Sequence, residues 1–125
     1  MFEYNAKVIR VVDGDTVDAM VDLGFTTFKK VRIRMHGINA PESRTRDLEE
    51  KKRGLAAKAR LIEILNEVDN KFVLVSYGVG KFGRCLGDIR IPDIVPDSFK
   101  SVNSQLIMEG HGTEYYGGKR WINTI

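Results

Sequence analysis

Three short stretches of this chain carry the residue types that chemistry at a phosphate requires. Asp13-Gly14-Asp15-Thr16 sets two carboxylates close together between the apolar Val11-Val12 and Val17. Arg34 precedes Asn39-Ala40-Pro41-Glu42, and Lys81-Phe82-Gly83-Arg84 is a basic turn containing an aromatic ring. Breaking a phosphodiester bond needs an activated water, neutralised phosphate charge and a stabilised five-coordinate transition state. Asp15 could ligate a metal through hard oxygen, with Asp13 adding charge nearby. Arg34 could hold a phosphate oxygen, Glu42 could orient and deprotonate a water, and Arg84 could supply a second planar guanidinium fork. Each stretch also has a plainer reading. Asp-Gly between apolar runs is a common hairpin turn, and a surface Arg, Glu or basic loop is usually just solvated.

The elements that must position these groups can be traced from the apolar pattern. Ala6, Val8, Val11 and Val12, then Val17, Met20, Val21 and Leu23, then Phe28, Val31, Ile33 and Met35 read as three strands joined at Gly14 and Gly24. In the third, Arg32, Arg34 and His36 alternate with the apolar residues, as in a half-buried strand. Pro41 ends this run. Leu61, Ile64, Leu65 and Val68 recur at helical spacing within 47–68, with Asp47 or Ser43 as the cap. Gly54 places the firm part of that helix after itself. Strands follow at 72–77 and 86–91, separated by a glycine-rich turn, and 101–108 forms a short helix ended by Gly110. Three strands, a helix, two strands and a helix are the plan of a β-rich α+β protein, a five-stranded OB-fold barrel.

Composition is that of one globular domain spanning 1–125, since 125 residues leave room for a single core. A net charge of +3 and a pI near 9.1 favour a polyanionic partner. The single cysteine, Cys85, excludes an internal disulfide framework and a cysteine-rich zinc site, and suits a small packing residue. No apolar run is long enough to span a bilayer, and the first residues lack a signal-peptide pattern, so the expectation is a cytoplasmic protein without a membrane partner. His36 and His111 are expected in structural or surface roles, because Glu42 has the better setting for a base. Lys51-Lys52-Arg53 reads as a solvated face.

In this order and separation, Asp-Gly-Asp-Thr-Val, Arg-x4-Asn-Ala-Pro-Glu and Lys-Phe-Gly-Arg closely resemble the staphylococcal nuclease family, over about 6–116. The resemblance implies a calcium-dependent nuclease, an endonuclease acting on DNA or RNA as a monomer. It implies Asp15 and the Ala40 carbonyl as calcium ligands, Arg34 as phosphate ligand, Glu42 as general base and Arg84 as stabiliser of the transition state. Lys81 and Tyr116, with Tyr115 second to it, match the residues that contact nucleotide phosphate. Asn39 stands where the family's best-known members have a ligating aspartate; an amide oxygen can coordinate calcium but brings no charge, so weaker binding is expected. The family usually packs a third helix on the barrel. This chain leaves little space for one, so two helices are expected, three at most, with Trp121 and Ile122 covering part of that face. The rival expectation is a non-catalytic OB-fold module that binds nucleic acid or protein. Such a relic has no need to keep Asp15, Arg34, Glu42 and Arg84 together. If the catalytic reading holds, Arg34 and Arg84 converge on one phosphate, with Asp15 and Glu42 bordering the same pocket.

Overall fold

The computed structural model describes residues 2–80 and 83–116. Strands β1 (Phe2–Asp13), β2 (Thr16–Asp22) and β3 (Phe28–Met35) form an antiparallel meander, with Val11 opposite Val17 and Val17 opposite Ile33. Two register shifts in β1, between Val8 and Arg10 and between Val11 and Asp13, explain why its apolar residues do not keep a simple alternation. A second strand-rich segment follows: β5 (Lys71–Val79) pairs with the other edge of β1, and β6 (Cys85–Pro92) pairs with β5. A parallel ladder from β3 to β6, with Ile33 opposite Cys85 and Met35 opposite Gly87, closes these five strands into a barrel. Closure removes the unpaired edges that an open sheet would present.

The barrel interior follows from period-two geometry: Val17, Ala19 and Val21 of β2 alternate inward, and all three are buried. They meet Ile33, Met35, Phe72, Leu74, Ile89 and Ile91 in one continuous apolar cluster. Among the described residues, three short strands join these five. β4 (Gly37–Asn39) pairs antiparallel with β8 (Thr113–Tyr115), and β7 (Phe99–Ser101) extends the sheet beyond β6. Segments of three residues carry no periodicity, which is why the sequence pattern does not reveal them.

Among the described residues, two helices lie on the barrel. Helix α1 (Leu48–Asn66) begins at Asp47, whose carboxylate accepts from the Glu49 and Glu50 amides. Its start corrects the expectation that Gly54 marks the onset: Gly54 is buried inside the helix, where tertiary contact outweighs its poor propensity. Ala57, Leu61, Ile64 and Leu65 form the buried stripe. Helix α2 (Val102–Met108) is capped by Ser101. Its buried Asn103 accepts from the Ile89 amide and donates to the His36 and Gly87 carbonyls, tying helix, β6 and the β3–β4 bend together. Trp121 and Ile122 lie outside the described residues. Among the described residues, no helix is long and apolar enough to cross a membrane.

Candidate functional site

The turn between β1 and β2 delivers Asp15 to the barrel's surface in a nearly closed setting, 8% exposed. One carboxylate oxygen accepts from the Thr16 hydroxyl at 2.9 Å, and the other from the Ala40 amide at 2.9 Å. The Arg34 guanidinium stands 3.6 Å from that second oxygen. A buried carboxylate requires such partners, since an unpaired charge away from water is costly. Arg34 reaches it because Thr16 and Arg34 are register partners on adjacent strands.

Arg34 is held as firmly as it holds Asp15. Its Nη1 donates to the Met35 carbonyl at 2.9 Å and to the Ile38 carbonyl at 2.8 Å, while Nη2 points at the Asn39 amide oxygen, 3.4 Å away. The chain bends at Gly37 and brings the Ile38 and Asn39 acceptors back towards the arginine. The guanidinium plane is therefore set by backbone, which suits a group that must present its fork in one orientation.

Helix α1 positions the next stretch. The Glu42 amide donates to Glu50 Oε2 at 3.1 Å. One turn further along the helix, the backbone of Glu42 lies so near Gly54 that an added Cβ would sit 2.2 Å from the Glu42 carbonyl oxygen. The third residue on this face, Ala57, has its Cβ 2.7 Å from where a side chain on Gly14 would begin. Glu50, Gly54 and Ala57 thus contact both the Asp13–Asp15 turn and the loop carrying Glu42 from one helix face. The buried Ser43 hydroxyl hydrogen-bonds to Asp13 Oδ1, and Arg44 lies 3.8 Å from the other oxygen of Asp13. Asp13 is accordingly a tie between the turn and the loop.

Arg84 comes from a different part of the chain, immediately before β6. Because Leu86 pairs with Arg34 in the parallel ladder, Arg84 and Arg34 are brought to one cleft of about 350 Å³. Tyr115, Tyr116 and His36 line the same cleft. Asp15 and Asn39 adjoin it through their contacts with Arg34, and Ala40 through Asp15. Glu42 departs from the expected arrangement: it is exposed and lines a separate depression with Asp13 and Arg44. The Ala40-Pro41 link joins the two places. Lys81 lies outside the described residues. The roles of Glu50, Gly54 and Asp13 as supports were not visible in the sequence, since each is a contact between distant segments.

The oxygen donors available to a divalent cation are the Asp15 carboxylate, the Asn39 amide and the Ala40 carbonyl. All are hard, so they fit calcium or magnesium better than a softer metal. Asp15 retains acceptor capacity beside its two hydrogen bonds. The set carries one formal charge, and among the described residues no group of three or more His, Cys, Asp and Glu gathers at a candidate metal site.

Comparison with known proteins places the chain in a family. Residues 32–121 match the profile of the family described as staphylococcal nuclease homologue. The chain is 29% identical over 116 residues to the protein ParB of Escherichia coli, covering 90% of this chain and 58% of that protein. It is 27% identical over 121 residues to a micrococcal nuclease of Shigella flexneri, covering 94% of this chain and 62% of that one. It therefore spans about three-fifths of the length of these relatives.

Proposed function

The chain belongs to the staphylococcal nuclease family, and on that premise we propose that it is a calcium-dependent endonuclease hydrolysing phosphodiester bonds of DNA or RNA. The observation that carries this reading is the convergence of Arg34, on β3, and Arg84, just before β6, on one cleft beside the buried Asp15. The likeness to a micrococcal nuclease supports it.

In this mechanism the scissile phosphate lies between the two guanidinium groups. Arg34 offers donors whose direction is fixed by the Met35 and Ile38 carbonyls. Arg84 completes the clamp and stabilises the charge that grows on the equatorial oxygens as water attacks phosphorus. Donors placed in advance where charge develops are worth roughly 2.7–4 kcal/mol each. Glu42 takes the proton of the attacking water, whose oxygen bonds to phosphorus as the bond to the leaving oxygen breaks; Arg84 stabilises that oxygen by a hydrogen bond, and it takes up a proton from solvent. The exposed Glu42 carboxylate stands where water is available, and its backbone is fixed by α1. Asp15, Asn39 and the Ala40 carbonyl would hold the cation, which when bound supplies positive charge against the phosphate. Tyr116 and Lys81 contact the nucleotide. Every group comes from one chain, so a monomer suffices.

A second reading, a module that binds nucleic acid without cutting it, draws on the single formal charge of the metal set. Degradation of plasmid DNA and single-stranded RNA with calcium, magnesium or chelator separates the two. Glu42→Gln should lower turnover by at least about a hundredfold, the usual worth of a general base. A variant within threefold of wild type removes Glu42 from the mechanism, and binding without cleavage under any metal selects the module.

A further inference from the structure

The strands that carry the site run, at their other end, to an apolar face. Thr16 and Arg34 are partners at one end of the β2–β3 pair, and Asp22 and Phe28 at the other. With a rise of about 3.3 Å per residue, the run from Thr16 to Asp22 sets the two ends roughly 20 Å apart. The hairpin tip beyond Asp22 is a two-residue turn, closed by the Thr27 amide donating to the Gly24 carbonyl at 2.9 Å. Its central residues, Phe25 and Thr26, have φ of +54° and +61°, as a type I′ turn requires. Such positions favour Asn and Gly, yet the sequence places a phenylalanine there, 103% exposed. Neither the turn nor burial within the chain accounts for that ring.

A second loop stands at the same end. It joins β6 to β7 and leaves Ile94 95% and Val95 65% exposed. Met20, Phe28, Phe72, Pro92 and Phe99 line a hollow of about 550 Å³, so the feet of both loops meet at it. The face therefore sets an apolar projection beside an apolar recess. Its charges are divided as well. Lys29 and Lys30 follow the hairpin tip, Asp93 and Asp97 flank Ile94 and Val95 in the loop, and all four are exposed. An anionic bilayer would suit the hairpin but be repelled by the two aspartates of the loop. A second copy turned by half a revolution suits both, because a surface that carries both halves of a fit is complementary to itself.

We infer that the chain forms a two-fold dimer through this face. Phe25 of each copy enters the hollow of the other, while Lys29 and Lys30 of each meet Asp93 and Asp97 of the other. A phenylalanine can bury about 150–250 Å², so Phe25, Phe28 and Phe99 with Leu23, Ile94 and Val95 supply several hundred of the roughly 800 Å² that a stable interface takes from each partner. None of these residues lines the Arg34 cleft, so the inference stands apart from the nuclease reading. Each copy keeps its own cleft, open at the end away from the partner.

Sedimentation velocity over a range of chain concentrations is the test, and the wild type should run at twice the 14.2 kDa of one chain. Phe25→Asn removes the projecting ring but suits the turn, so its urea midpoint should not fall. Its dimer should dissociate at least about thirtyfold more readily, the usual cost of losing an interface anchor. Two charge-reversed chains give an independent measurement: Lys29→Glu with Lys30→Glu in one, and Asp93→Lys with Asp97→Lys in the other. Each alone sets like charges together and should run as a monomer where the wild type is a dimer. An equimolar mixture should recover the dimer, most fully at low salt. A wild type that stays monomeric at every concentration, or a mixture no more dimeric than its parts, overturns the inference. Co-sedimentation of a monomeric wild type with phosphatidylserine vesicles, lost in Phe25→Asn, would also overturn it and give the face to a lipid surface.

Discussion

Replacing Gly54 by Ala sets two effects of opposite sign against each other. By helix propensity alone the change should stabilise α1 by about 0.8–1.0 kcal/mol. The added methyl, however, would sit 2.2 Å from the Glu42 carbonyl oxygen, 2.4 Å from its carbon and 2.7 Å from the Ser43 nitrogen. Non-bonded heavy atoms settle at about 3.5–4.0 Å, so helix and loop must part by roughly 1 Å. Overpacking of this kind costs about 1–3 kcal/mol, which leaves a net destabilisation between zero and about 2 kcal/mol. The effect on catalysis should be larger than the effect on stability. The displaced atoms are the backbone of Glu42, and about 1 Å of misplacement can cost roughly a hundredfold in rate. Arg34 and Arg84 are held by other segments, so kcat should fall by about that factor while KM changes little. Initial rates of DNA cleavage across substrate concentration, with a urea midpoint for each protein, measure both quantities. Full activity combined with the stabilisation expected from propensity would refute the claim that this contact places the loop.

The clamp predicts that Arg84→Lys keeps charge but loses the planar fork, lowering kcat/KM by about 10²–10³-fold. Arg34→Lys should show a similar loss and also a lower urea midpoint, because the Met35 and Ile38 carbonyls lose donors worth about 1 kcal/mol each. At Asn39, an aspartate would add a second charge to the cation's oxygen set, so Asn39→Asp should lower the calcium concentration for half-maximal rate several-fold at fixed ionic strength. Calcium binding measured without substrate should shift alike, and an unchanged midpoint would place Asn39 away from the metal. A last prediction concerns the link between the helices. Arg60, and then Gln105, hydrogen-bond to Glu109 and hold its carboxyl down at about 2, below its ordinary 4.5. A depressed acid stabilises the fold above its unfolded pKa and loses that contribution as pH falls through the folded one. Glu109→Gln should therefore cost at most about 1 kcal/mol at neutral pH once solvent screening is allowed for. The gap from wild type should close between pH 4.5 and 2, as thermal melts across that range would show.

What could be read from the sequence divides along a physical line. Asp15, Arg34 and Arg84 were legible because their chemistry sits in the side chain and their surroundings in adjacent residues: a turn, a strand, a basic loop. The barrel order was legible for the same reason, since period two and period 3.6 are local signals. The supports were not. Gly54 read as a helix boundary, because propensity describes an isolated helix and says nothing of a loop backbone lying against it. Asp13 read as extra charge for a metal, and its tie to Ser43 across the fold was not visible. His36 looked structural by itself, and in the fold its ring packs against those of Tyr77 and Tyr116. In each case the missing information is a contact between segments far apart in the chain. The consequence is specific to this site: helix α1 has no residue in the proposed reaction, yet its Glu50, Gly54 and Ala57 face touches both segments that carry the acidic groups. A variant chosen by motif alone would leave that face out, although it sets the geometry on which the motif depends.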